Sequence, residues 1–249
     1  MYKINTINFH SGVSLDCVIF GFQDNQLKVL LMKLKNKDVW ALPGGFVRKD
    51  KDVDDEAKAV LQERTGLTDI FLHQFHSFGS VSRQDPKHAS DLVEMGVIDP
   101  TMEEWFKQRY VSIGYYALVE YSKVKLPIPD ATSDYCSWVP INDLPKLVID
   151  HESIIGKAHQ TLKKELNYQP IGFNLLPELF TMPELQALYE TLLQSKLDRR
   201  NFRRKMLAYG ILIDTNQKRE GVGHKAPILY RFDLEKYFSA IKDGFSSGW

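Results

Sequence analysis

The segment that most restricts the fold is GGFVRKDKDVDDEAKAVLQERTGL, residues 44–67. WALPGGFV reads as the extended approach to it. The helix that follows is predicted over Val53–Thr65, with Asp52 as its N-cap and Gly66 as its stop. Asp52, Asp54 and Asp55 crowd the helix start, where acidic side chains favour the macrodipole. Glu56 and Glu63 are seven residues apart, so they share one helix face with Val60 between them.

This segment resembles the Nudix box, written Gly, five residues, Glu, seven residues, Arg-Glu-hydrophobic-any-Glu-Glu-any-Gly-hydrophobic. Counted from Gly45, the first Glu falls on Lys51 and the Arg-Glu pair on Ala59 and Val60. The Glu-Glu pair falls on Glu63 and Arg64, while Gly66 and Leu67 match. In that family the helix presents several Glu to Mg2+, which activates water against a diphosphate. Three of those carboxylates are here Lys51, Val60 and Arg64, and Mg2+ is poorly held by one Glu beside a cation. The expectation is a site kept for its shape, with no catalytic residue, no metal and no cofactor. A residual metal site would have to use Glu56 and Glu63. The alternative for the acidic residues here is helix-start charge.

At 249 residues the chain can hold one large or two modest domains. Its 43% hydrophobic and 26% charged content is that of an ordinary globular protein. No stretch approaches the roughly 20 apolar residues of a membrane span, and MYKINTINFHSGV lacks a secretory apolar region. Cys17 and Cys136 sit in strand-like apolar segments and read as core packing. Cytoplasmic placement and no membrane partner are expected. The zero net charge hides an asymmetry: residues 1–195 carry 20 Lys/Arg against 26 Asp/Glu, and residues 196–249 carry 12 against 6. Such a split points to two domains, the second with a polyanionic partner.

Residues 1–156 are assigned to a first domain, 157–170 to a helical linker and 171–249 to a second domain. VSLDCVIFGF, LKVLLMKLK, DIFLHQFHSFGSV, RYVSIGYYALVEY and YCSWV read as strands around the box helix. The polar insertion at about 86–108 is given one short helix, around Met102–Gln108, and insertions of this kind often cover a site. In the second domain, Thr181, Pro183 and Glu184 have the spacing of a capping box, and Leu185, Leu188, Leu192 and Leu193 form a buried face. A second helix from Asp198 to about Tyr209, two strands (ILIDT and PILYRF) and a last helix complete the order of a winged helix-turn-helix.

At about 100° per residue, Phe202, Met206 and Tyr209 point one way on that second helix, and Arg200, Arg203 and Arg204 the other, with Asn201 at the edge. An Arg-rich outer face suits guanine edges and phosphates in a major groove. With Arg199 it makes the DNA-binding candidate, joined by Lys218, Arg219, His224 and Lys225 of the hairpin loop. The alternative is a merely solvated surface helix.

Taken together, the halves resemble the NrtR/AraR-type Nudix-related transcriptional regulators. The resemblance runs from LDCVIFGF to ILYRF, through ALPGGFV, VSIGYYAL, the Asp150-His151 pair, IGFNLLPELFTMPELQALYE and LDRRNFRRKM. It implies a Nudix-like α/β/α sandwich with a mixed sheet plus a C-terminal α+β winged helix, working as a homodimeric repressor on double-stranded operator DNA. It further implies that the first domain senses a small-molecule effector, either ADP-ribose or a sugar such as arabinose in control of carbohydrate metabolism. A cavity without metal carboxylates can bind such a molecule through polar and aromatic groups. The candidates are Asp16, Phe46, Arg48, Arg83, Arg109, Tyr115 and His151, with Tyr116 as the alternative to Tyr115. One of the two tyrosines must face the core. Loss of the carboxylates removes the usual partner of a diphosphate, which favours a sugar unless Lys51 and Arg64 face the pocket. Two competing readings are an active Nudix hydrolase of ADP-ribose or a related compound, and a non-catalytic binding module with protein partners.

Overall fold

The computed structural model describes residues 1–68, 70–83, 85–124, 127–166, 172–221 and 226–243. It divides into a unit of residues 1–21, 28–119 and 123–158, and a second of 22–27, 120–122 and 159–249. Strands β1 (Phe9–Gln23) and β2 (Gln26–Leu34) are joined at Asp24 and Asn25, both at positive φ, the conformation a two-residue hairpin turn requires. There follow β3 (Trp40–Ala41), β4 (Gly44–Arg48), helix α1 (Val53–Thr65) and β5 (Phe71–Phe78). Helices α2 (Pro86–Glu94) and α3 (Glu103–Lys107) precede β6 (Val111–Val119), β7 (Ser133–Pro140) and α4 (His151–Glu165).

Among the described residues seven strands form one mixed sheet, ordered β3-β2-β1-β6-β5, with β4 on β1 and β7 on β2. β1 runs parallel to β6 and antiparallel to β4. Leu15, Cys17 and Ile19 of β1 and Tyr115, Ala117 and Val119 of β6 are buried with Ala57, Val60 and Leu61 of α1. Each large apolar side chain buried there contributes about 1.5–3 kcal/mol. Helix α1 has the predicted bounds, and Gly66 closes it at φ 71°. Asp52 takes the N-cap position but makes no side-chain cap bond, so the helix start rests on the charges of Asp54, Asp55 and Glu56. Gly44 lies so close to β1 that a Cβ would run into the Leu15 carbonyl oxygen. That approach brings the box strand against Asp16.

The insertion is more ordered than one short helix. Asp85 accepts a bond from the His88 N–H at 3.1 Å and Pro86 takes the first turn, which starts α2. Leu92, Val97, Ile98 and Met102 build a small core with Leu34, Val39 and Ala41. Residues 157–165 of the assigned linker simply continue α4, and 167–170 lie outside the described residues.

In the second unit β8 (Phe180–Thr181), α5 (Met182–Leu193), α6 (Arg199–Ala208), β9 (Leu212–Lys218), β10 (Ile228–Phe232) and α7 (Leu234–Asp243) follow in order. The strands pair as β8-β10-β9. The capping box closes on both sides: the Thr181 N–H donates to Glu184 Oε2 at 2.6 Å, and the Glu184 N–H to Thr181 Oγ1 at 3.3 Å. Leu185, Leu188 and Leu192 are buried, whereas Leu193 is only half-buried. Asp198 caps α6 through the Asn201 N–H at 2.9 Å. Phe202 meets Tyr189 edge-on at 5.5 Å, which fixes α6 against α5. Among the described residues no helix is long and apolar enough to cross a membrane.

Candidate functional site

The first unit contains a cavity of about 740 Å³ that is open to solvent, within the usual range of small-molecule sites. Its aromatic wall centres on Phe46, whose ring lies 5.5 Å from Phe106 and 5.2 Å from Tyr110. Phe106 and Tyr110 come from the insertion and its exit, so the insertion forms part of the cavity wall.

A buried ionic network stands beside that wall. Arg83 donates through Nε to both oxygens of Asp150 at 2.9 Å, through Nη2 to Asp16 Oδ2 at 2.7 Å, and through Nη1 to the Tyr110 carbonyl at 3.1 Å. Ser112 Oγ donates to Asp16 Oδ2 at 2.5 Å, a contact set by the parallel register of β1 and β6. The Leu42 N–H donates to His151 Nδ1 at 2.9 Å. Nδ1 therefore carries no proton, and the neutral ring holds its proton on Nε2, 3.6 Å from Asp16 Oδ1. Burial pushes the His151 pKa down, Asp16 opposes this, and Arg83 adds to it. His88 of α2 also lines the cavity. Burial, helped by Lys37, pushes its pKa down to about 4.

The α1 face contributes Glu56, Ala59, Val60, Glu63 and Arg64. Glu56 is buried, and its Oε1 accepts Arg48 Nε at 2.5 Å. Glu63 Oε2 accepts Arg64 Nη2 at 3.0 Å, and Arg64 Nη1 reaches the Ile128 carbonyl at 3.0 Å. The Nε of Arg64 is buried and has no acceptor among the described residues. A buried donor left unmet costs about 1–3 kcal/mol. These residues do not fit Mg2+. Both carboxylates of the face are engaged by guanidinium groups, Val60 separates them, and no group of three candidate ligands assembles among the described residues.

Of the sequence candidates, Asp16, Phe46, Arg48, Arg83 and His151 come together around the cavity. Arg109 does not: it is exposed, and its neighbour Tyr110 lines the wall instead. Tyr115 is packed in the core against α1, and its hydroxyl donates to Asp54. Tyr116 is fully buried on the opposite face of β6, beside Phe71 and Phe75, so both tyrosines are core residues. Tyr2, His88, Phe106 and Tyr110 line the cavity without having been singled out in the sequence. The Asp85-Pro86 helix start was the local signal for His88. The preference for a sugar loses its premise here. Lys51 is exposed and does not line the cavity, whereas Arg64 does.

On α6, Phe202 and Met206 are buried, whereas Arg199, Arg200, Asn201, Arg203 and Arg204 are exposed. Arg204 bonds Asn201 at 3.2 Å. Lys218 is exposed at the end of β9, but Arg219 is committed to Glu184 at 2.5 and 2.7 Å. His224 and Lys225 lie outside the described residues.

Fold and site define a Nudix domain joined in one chain to a winged helix. Residues 10–158 match the NUDIX domain model, and residues 172–232 match that of the NrtR DNA-binding winged helix domain. The chain belongs to the NrtR family. It is 32% identical over 232 residues, 90% of this chain and 83% of the relative, to the ADPR responsive transcriptional repressor NtrR of Acinetobacter baylyi. Its fold is similar to the crystal structure of Shewanella oneidensis NrtR complexed with a 27mer DNA, with TM-score 0.75, 27% identity, and 95% and 99% of the two chains covered. The Nudix part is also 28% identical over 149 residues, 59% of this chain and 72% of the relative, to an ADP-ribose pyrophosphatase of Methanocaldococcus jannaschii.

Proposed function

We propose that this protein is a transcriptional repressor that binds operator DNA through α6 and answers to an ADP-ribose-type effector, ADP-ribose first among them, held in the Nudix cavity. The observation that carries the reading is one chain joining an aromatic- and arginine-lined cavity to an exposed arginine face on a winged helix. Similarity to an ADPR responsive repressor, 32% identical over 90% of the chain, supports it. The protein acts as a homodimer, because two recognition helices must meet half-sites about one helical turn, roughly 34 Å, apart. The effector works by favouring one dimer geometry over another and so shifting operator affinity. The engaged carboxylates of α1 support a non-catalytic cavity.

The test is a gel shift with the protein's own promoter region, repeated with increasing ADP-ribose and, separately, arabinose. A retarded band that responds to ADP-ribose and ignores arabinose is expected. A band that ignores ADP-ribose sinks the effector assignment, and absence of any band sinks the DNA-binding one. Incubation with ADP-ribose and Mg2+ should release no AMP at enzyme rates, on the order of 1 per second.

A further inference from the structure

We propose that Arg64 binds the effector's diphosphate directly, so that the cavity takes its ligand without a divalent metal ion. This rests on the effector reading above and concerns the cation that stands where the box has a carboxylate. Arg64 is 9% exposed and lines the cavity. Its guanidinium is fixed on two sides, by the Ile128 carbonyl at 3.0 Å and by Glu63 at 3.0 Å. Its Nε–H is left without an acceptor among the described residues. A guanidinium presents parallel N–H groups in a plane, which match phosphate oxygens better than a point charge does.

The rest of the face agrees. Arg48 pairs with the buried Glu56 and Arg64 with the largely exposed Glu63, so an entering Mg2+ would meet two guanidinium groups beside the two carboxylates. A diphosphate meets a guanidinium already held in place on the cavity wall, whose N–H groups can be shared with its oxygens. The same substitution that removes the metal thus supplies its electrostatic replacement. No ion is then present beside the diphosphate to activate water, so the ligand is held and not cleaved.

Calorimetric titration of the full-length protein decides this, with ADP-ribose, ADP and adenosine as probes, first in EDTA and then in Mg2+. The wild type is expected to bind ADP-ribose with a Kd that changes by less than about twofold between the two buffers, and Arg64→Gln to weaken ADP-ribose and ADP by roughly tenfold or more. Adenosine, which lacks the diphosphate, should be unaffected, and Arg64→Lys should recover part of the loss. If Arg64→Gln fails to fold, Arg64→Lys and the EDTA comparison still decide. Binding that needs Mg2+, or Arg64→Gln binding ADP-ribose like the wild type, overturns the proposal. ADP binding through Arg64 without ADP-ribose binding would keep this site and remove the effector reading. No binding of either diphosphate removes the site.

Discussion

The arginines of the cavity and those of α6 are the same residue in opposite settings. Arg48, Arg64 and Arg83 are each held by carboxylates or carbonyls. Arg199, Arg200 and Arg203 are exposed and have no ion pair among the described residues. A held guanidinium loses its freedom during folding and presents a shaped site to one small molecule. A free one keeps its hydration and its reach, which suits a polyanion approached by long-range attraction and weakened by salt. On the function proposed above, position decides what each arginine recognises.

Four measurements would break or sharpen this contrast. The largest effect is expected from replacing Arg200, Arg203 and Arg204 together by Ala. Operator affinity should fall by about 1–3 kcal/mol per base-contacting arginine, and the salt slope by roughly two to three. ADP-ribose binding should not move. Unchanged operator affinity and slope would remove α6 as the recognition helix.

Next is Arg83→Met, which leaves Asp16 and Asp150 without their shared cation. Breaking such a buried pair should cost about 3–5 kcal/mol in urea unfolding. A loss below about 1 kcal/mol would mean that the network is as solvated as a surface pair.

The third concerns pH. His88 titrates near 6.5 in the unfolded chain and near 4 when folded, so below pH 6.5 the unfolded state binds the extra proton. Its contribution is fully present above pH 6.5 and is lost as pH falls toward 4, by no more than about 3 kcal/mol. The downward shift of His151 acts in the same sense. His88→Gln should flatten the fall in urea midpoint between pH 7 and 4.5, and an identical fall in the variant would remove His88 from the account.

The smallest effect is expected from Arg219→Ala. Because Glu184 holds this side chain, the change should cost about 1 kcal/mol or less in stability and weaken operator binding less than Arg200→Ala does. The reverse ranking would place the wing, and not α6, at the centre of DNA recognition.

Legibility in the sequence followed the range of the physics. Helix α1, the capping box at Thr181 and the two faces of α6 rest on neighbours three or four residues apart, so their signals are local. The Arg83 network joins residues 67 apart in either direction, and no local pattern reports that pairing. Tyr115 and Tyr116 alternate as a strand demands, yet both are buried because β6 is covered on both faces. Alternation tells the faces apart but not which of them is wet. Arg109 and Tyr110 traded places at the cavity for a related reason: where a loop enters a strand, a one-residue step reverses the direction of a side chain. Helix α2 is different, because its Asp85-Pro86 start was readable and the surrounding polarity obscured it.

The α1 face resists conversion into a metal site by any single substitution. Restoring Glu at 64 alone would add a third carboxylate to the α1 face while Glu56 stayed bound to Arg48 and Val60 still filled the gap. Restoring Glu at 60 alone would bury a charge in an apolar cluster. In either variant Arg48 would still hold Glu56, so neither substitution by itself frees the carboxylates that a metal ion would need.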